Sequence, residues 1–145
     1  MRMATIIFDA SDAILGRVAA YAAKQALLGQ TISVINAEKA VVSGAKRSTI
    51  EEAKRKAAMG GPRKGPFYSK LPDRYMRRAI RGMLPYKEPR GRAAYHRILC
   101  YIGTPAQFRE QKALRVPGAE ASKLPNLKRV TVGKICEELG GRHYG

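Results

Sequence analysis

Thr5-Ile6-Ile7-Phe8-Asp9-Ala10 and, further on, Thr31-Ile32-Ser33-Val34-Ile35-Asn36 are two short apolar runs rich in β-branched residues. Each reads as a buried strand. Between them, residues from about 13 to 28 place Leu15, Val18, Ala19, Ala22 and Ala26 at helical spacing, and Gly29 supplies a C-terminal stop. Ser11 and Asp12 stand where a helix N-cap belongs. Strand, helix and strand in so short a stretch make a βαβ unit, which calls for parallel pairing and a right-handed crossover. The fold class expected is therefore α/β.

The rest of the chain extends that unit. Ala40-Val41-Val42 reads as a third, very short strand. Ser48 with Glu51 three residues on forms a capping-box pattern for a helix reaching about Met59. Gly60-Gly61-Pro62-Arg63-Lys64-Gly65-Pro66 is a Gly/Pro-rich loop with two cations. From about Pro72 to Leu84 the spacing of Met76, Ala79, Ile80, Met83 and Leu84 predicts a helix with one core face, leaving Arg74, Arg77, Arg78 and Arg81 on the remaining surface. Pro85 ends it, and residues 86–92 form a second basic turn. A short helix near 93–97 leads into Ile98-Leu99-Cys100-Tyr101-Ile102, a last central strand. Residues from about 105 to 130 are weakly patterned and read as an extended arm or loop packed on the domain. Thr131 then caps a helix bearing Val132, Ile135, Cys136 and Leu139, stopped by Gly140-Gly141. The expectation is one domain over residues 1–145, with a mostly parallel four-stranded sheet.

Composition fits a single packed domain. The 145 residues are 45% hydrophobic, enough for a core. They carry 28 Lys and Arg against 11 Asp and Glu, a net charge of +17. A compact domain this cationic repels itself unless a polyanion neutralises it. The charge is not spread evenly. Residues 1–38 are balanced, whereas residues 53–97 hold fourteen basic residues and only two acids, Asp73 and Glu88. Five of the ten aromatic residues lie in that same stretch: Phe67, Tyr68, Tyr75, Tyr86 and Tyr95. Arginine dominates it, and a guanidinium grips phosphate through two donors or stacks on a base.

Other classes of function find little footing. The two cysteines, Cys100 and Cys136, are too few for a disulfide framework and read as buried small apolar residues of a protein in a reducing compartment. Cys100, Cys136, His96 and His143 are too scattered for metal-ligand spacing. His96 reads as a surface or RNA-facing polar group. Gly60 to Gly65 has the glycine spacing of a phosphate-binding loop, but Pro66 and Phe67 stand where Lys and Ser or Thr are needed. No catalytic residue, cofactor or small-molecule substrate is expected. No apolar run is long enough to span a bilayer, and the apolar start of the chain meets Asp9 too soon for a signal peptide. The helix at 72–84 lacks the bulk of a membrane-surface helix. No helix-turn-helix pair, zinc-finger ligand set, basic zipper or aromatic RNP strand appears. Arginine-rich Gly/Pro loops beside an α/β core point to structured RNA. One enzymatic alternative stays open: an RNA-modifying protein using the C-terminal strand ends near Asp9, Ser11 and Asp12.

Several segments carry a family likeness. Asp12-Ala13-Ile14-Leu15-Gly16-Arg17-Val18-Ala19, Ile35-Asn36-Ala37-Glu38, Val42-Ser43-Gly44, Arg81-Gly82-Met83-Leu84-Pro85, Gly91-Arg92-Ala93 and Tyr101-Ile102-Gly103 closely resemble the universal large-subunit ribosomal protein family numbered thirteen. The likeness covers most of residues 5–105, and the short Gly60–Pro66 loop resembles the archaeal and eukaryotic branch, the archaeal type being expected because a long C-terminal extension is lacking. It implies a three-layer α/β/α domain, binding to large-subunit ribosomal RNA beside neighbouring ribosomal proteins, a part in subunit assembly and translation, a cytoplasmic place in the ribosome, and no catalysis. It also leaves open a role on messenger RNA as a translational regulator, known for some family members. The residues expected to meet RNA are Arg63, Lys64, Lys70, Arg74, Arg77, Arg78, Arg81, Lys87, Arg90, Arg92 and Arg97. Tyr86 is the stacking candidate, and Gly61, Gly65 and Gly91 would permit close backbone approach.

Overall fold

A computed structural model describes residues 5–126 and 128–142, so Arg2, Leu127 and His143 lie outside the described residues. The elements in chain order are β1 (Thr5–Asp9), α1 (Leu15–Leu27), β2 (Thr31–Ile35), β3 (Val41–Ser43), α2 (Lys46–Ala57), α3 (Pro72–Gly82), α4 (Pro89–His96), β4 (Ile98–Cys100), β5 (Arg129–Thr131) and α5 (Val132–Glu138). The main sheet has three parallel strands in the order β1-β2-β4, with Ile7 opposite Ser33 and Ser33 opposite Leu99. The α/β class and the parallel βαβ unit are as the sequence predicts.

The strand count is not. β3 leaves the main sheet and pairs antiparallel with β5. Asn36 adopts a left-handed conformation at φ 56°, and the turn Ala37–Lys39 carries the chain away from β2 before β3 begins. The fourth place beside β1 is taken by one residue of the arm. Leu114 donates its N–H to the Ile7 carbonyl at 2.8 Å and accepts from the Asp9 N–H at 2.9 Å.

Pleating sends Phe8, Ile32, Val34, Ile98 and Cys100 to one face. There they share a single core with Val18, Ala19, Ala22, Ala23 and Ala26 of α1, Met76 and Ile80 of α3, Ala94 of α4 and Cys136 of α5. The alanines of α1 let α3 come close without side chains in the way. The opposite face carries Ile7, Ser33, Leu99 and, next in alternation, Tyr101. It is met by the chain after β4, where Phe108 sets its ring edge against Tyr101 at 5.4 Å.

Capping follows the sequence in one place of three. The Thr131 hydroxyl accepts the Lys134 N–H at 3.2 Å and caps α5 as expected. At α1 the cap is Ile14, with no side-chain bond, because the Ser11 N–H turns back to the Asp9 carboxylate and Asp12 sits at φ 51°. At α2 the helix begins two residues earlier than Ser48. Its hydroxyl therefore donates to the Ala45 carbonyl inside the first turn, and Glu51 pairs with Arg47 instead of closing a box. Residues 89–92 are helix and not turn, since Pro89 occupies the first helical position, where its fixed φ and missing N–H cost nothing. Met83 lies past the end of α3 and is exposed, while Leu84 remains in the core.

Candidate nucleic-acid interface

On α3, residues 74, 77, 78 and 81 follow the i, i+3, i+4, i+7 spacing, so their guanidiniums share one stripe. Met76 and Ile80 anchor the other side in the core. The stripe lines a cleft of about 350 Å³ whose remaining walls are Phe67, Ser69 and Tyr95. No carboxylate lines it, and none of the four arginines has an ion pair among the described residues. The paired acids serve other segments: Glu51 and Glu52 are used within α2, Glu138 by Lys54 and Lys134, and Asp9 by Arg115.

The four guanidiniums are held differently. Arg77 donates from Nε to the Ile98 carbonyl at 2.9 Å and from Nη2 to the Tyr95 carbonyl at 3.2 Å, with its guanidinium 4.0 Å from the Tyr95 ring centre. The Arg97 carbonyl and Tyr101 N–H bond to β2, so alternation turns the Ile98 carbonyl toward the free edge of β4. Arg77 therefore closes that sheet edge. Arg78 donates to the Phe67 carbonyl at 2.8 Å and lies 3.9 Å from the Tyr68 ring centre, pinning the loop to the helix. Arg81 stands 5.4 Å from the Tyr86 ring centre, and Arg74 has no side-chain hydrogen bond or ring contact among the described residues.

The other expected residues do not line this cleft. Arg63 and Lys64 are exposed in a loop closed by a bridge between Gly61 and Gly65, and Lys70 is exposed just before α3. Tyr86 packs edge-on against Tyr95 at 5.5 Å. Lys87 and Arg90 are exposed. Arg92 donates to the carbonyls of Tyr86 and Lys87, bracing the turn before α4. Arg97 donates to the Ala26 carbonyl at 2.8 Å, satisfying the C-terminal end of α1. The close approach expected of Gly91 toward RNA is made instead by its own chain. Gly91 is buried, and a Cβ there would lie 1.9 Å from the Pro85 carbonyl oxygen. Gly65, at φ 78°, seats the Phe67 ring, which a Cβ would meet at 2.8 Å. Phe67, Ser69 and Tyr95 belong to the cleft but are not among the expected contacts. The aromatic count of residues 53–97 was the signal for Phe67 and Tyr95, and Ser69 had none.

The C-terminal strand ends, where an α/β enzyme would bind its ligand, are filled by the protein itself. The Asp9 carboxylate accepts the Ser11 N–H at 2.9 Å and the Asn36 amide at 3.0 Å, with Arg115 of the arm at 3.7 Å. Burial alone would raise the Asp9 pKa. The hydrogen bonds from Ser11 and Asn36, helped by the Arg115 charge, outweigh it and hold the carboxyl below its ordinary value. The Gly103 N–H reaches the Glu38 carboxylate at 3.0 Å. Cys100 and Cys136 are buried, and burial pushes both thiols up to about 12. Among the described residues no three His, Cys, Asp or Glu side chains gather as a metal site, and no helix is long and apolar enough to cross a membrane.

Comparison with known proteins agrees with the motifs. The family described as ribosomal protein L13 matches residues 3–107. A large ribosomal subunit protein uL13 from Methanopyrus kandleri is 47% identical over 136 residues, covering 92% of this chain and 86% of the relative. The proteins of that name from Methanococcoides burtonii and Haloarcula marismortui are 40% and 42% identical, each over 94% of this chain and covering 98% and 92% of their own lengths. A match over most of the chain, in sequence and in the order of its motifs, places this chain in the ribosomal protein L13 family.

Proposed function

We propose that the chain is a structural constituent of the large ribosomal subunit, holding ribosomal RNA in place and performing no catalysis. The observation that carries this reading is the α3 stripe: four guanidiniums in one cleft with no carboxylate to neutralise them. Cations so placed gain by releasing the counterions condensed on an RNA backbone. Arg74 and Arg81 meet phosphate from the helix, and Arg78 forms the wall beside them. Arg63, Lys64, Lys70 and Lys87 in the loops and Arg90 at the start of α4 extend the same field. Arg77, Arg92 and Arg97 add charge while their fork donors hold backbone carbonyls, so they shape the surface that RNA meets. Neighbouring ribosomal proteins and a cytoplasmic place follow from residence in the subunit. The relatives' names, all of the large ribosomal subunit, support this assignment.

Sedimentation of a cell lysate tests it. Co-migration with large subunits after a high-salt wash is expected, and a free pool near the chain's own 15.9 kDa would overturn it.

A further inference from the structure

Resting on that RNA-binding reading, we infer that the α3 cleft is a single-nucleotide site: it takes one unpaired nucleotide, its base on the Phe67 ring and its phosphate on Arg74 and Arg81. Three features of the cleft lead there. Its volume of about 350 Å³ sits at the small end of the ~300–1,000 Å³ typical of ligand sites. That is room for about one nucleotide. A paired helix keeps its bases stacked inside and offers the wall only phosphate and ribose.

The second feature is Phe67. Its ring is 67% exposed in the wall of a cationic cleft and makes no ring contact among the described residues. The other aromatics of the region are engaged: Tyr68 with Arg78, Tyr95 with Arg77 and Tyr86, and Tyr86 with Arg81. An apolar ring left bare among guanidiniums gains most from a partner with a π-face, because stacking buries it without desolvating the charges. The backbone beneath it is tied to α3, the Phe67 carbonyl accepting from Arg78 at 2.8 Å, while the side chain stays open to a partner.

The third feature is a division of labour among the arginines. Arg77 and Arg78 spend donors on protein carbonyls and lie on Tyr rings, so they are walls. Arg74 and Arg81, two turns apart along the same stripe, spend none on the protein and remain to clamp phosphate.

The test uses the full chain and a single-stranded RNA of about twelve nucleotides bearing a central 2-aminopurine, with a fully paired duplex of the same length and free AMP as comparisons. Wild-type protein is expected to quench 2-aminopurine fluorescence and to bind the strand more tightly than the duplex. F67A and F67L are expected to lose the quenching and roughly tenfold of the strand affinity, with duplex affinity unchanged, and F67Y to restore both. R74Q with R81Q should flatten the salt dependence of strand binding by about 0.7 log units per lost contact. Because Phe67 is exposed, its variants should melt as wild type does, and a melt confirms that they remain folded. Quenching that survives in F67A, or a duplex bound as tightly as the strand, would overturn the inference. AMP displacing the strand at micromolar concentration would also overturn it, in favour of a free-nucleotide site. A chain that co-sediments with large subunits yet shows no Phe67-dependent quenching sinks this inference alone. One that does not co-sediment sinks the reading beneath it.

Discussion

Neighbouring arginines on α3 separate into two kinds once their donors are followed. Arg77 is half-buried and satisfies two backbone carbonyls, Ile98 at the free edge of β4 and Tyr95 at the end of α4. Truncating it strands those acceptors, and a hydrogen bond to a charged group is worth ~1.5–3 kcal/mol. R77A should therefore destabilise the domain by about 2 kcal/mol in chemical denaturation. R74A, which breaks no side-chain bond, should stay within ~0.5 kcal/mol of wild type while weakening RNA binding. Equal stability losses in the two variants would contradict this division. The cysteines make a second residue-scale case. Their thiols ionise near 9 in the unfolded chain but only at about 12 in the fold, because burial penalises the thiolate. The folded pKa is the higher one, so the associated stability is complete below pH 9 and is lost as pH rises toward 12. At pH 8 both thiols should resist a thiol-labelling reagent until the protein is unfolded, and rapid labelling of the native chain would refute their burial.

At the scale of elements, α3 was legible from its own residues and the arm was not. The apolar and basic positions of α3 alternate with the helical period, and local period is what a sequence records directly. The arm has no period, since it is held by scattered bonds to distant residues. Leu114 lies on β1, the Arg17 guanidinium donates to the Gly118 carbonyl at 2.8 Å, and Arg115 bridges Asp9 and the Ser11 carbonyl. This network predicts an acid-sensitive arm. The Asp9 pKa is depressed in the fold, so its contribution is present above its ordinary value of 3.8 and lost as pH falls through the folded value. D9N and R115A should each speed hydrogen exchange at the Leu114 amide at neutral pH, while Val34 in the central strand exchanges as in wild type. Unchanged exchange at Leu114 in both variants would show that the arm is held elsewhere. β3 and β5 illustrate the same limit. Each has three residues, too few to show a period, and their partnership joins segments far apart in the chain.

For the whole molecule, the arrangement of charge matters more than its sum. The first βαβ unit is balanced, and the surplus lies in residues 53–97, on α2, α3, α4 and the segments joining them. Without a polyanion this surplus repels itself, and salt screens the repulsion over about 10 Å at 0.1 M. Raising salt should therefore raise the melting temperature of the free chain even as it weakens RNA binding. A melting temperature that falls with salt would mean that attractive pairs outweigh the repulsion.

The amino-acid sequence by itself determined the α/β class, the parallel βαβ unit, the amphipathic α3 and the basic character of its surroundings. All of these are written in the spacing of neighbouring residues and in charge, which need no knowledge of distant contacts. Only the tertiary structure decided that β3 joins β5, that Leu114 of the arm lies beside β1, that Gly91 packs on Pro85, and which arginines keep their donors free. Those outcomes depend on which groups meet across the fold, where each buried carbonyl must find a donor whatever its place in the chain.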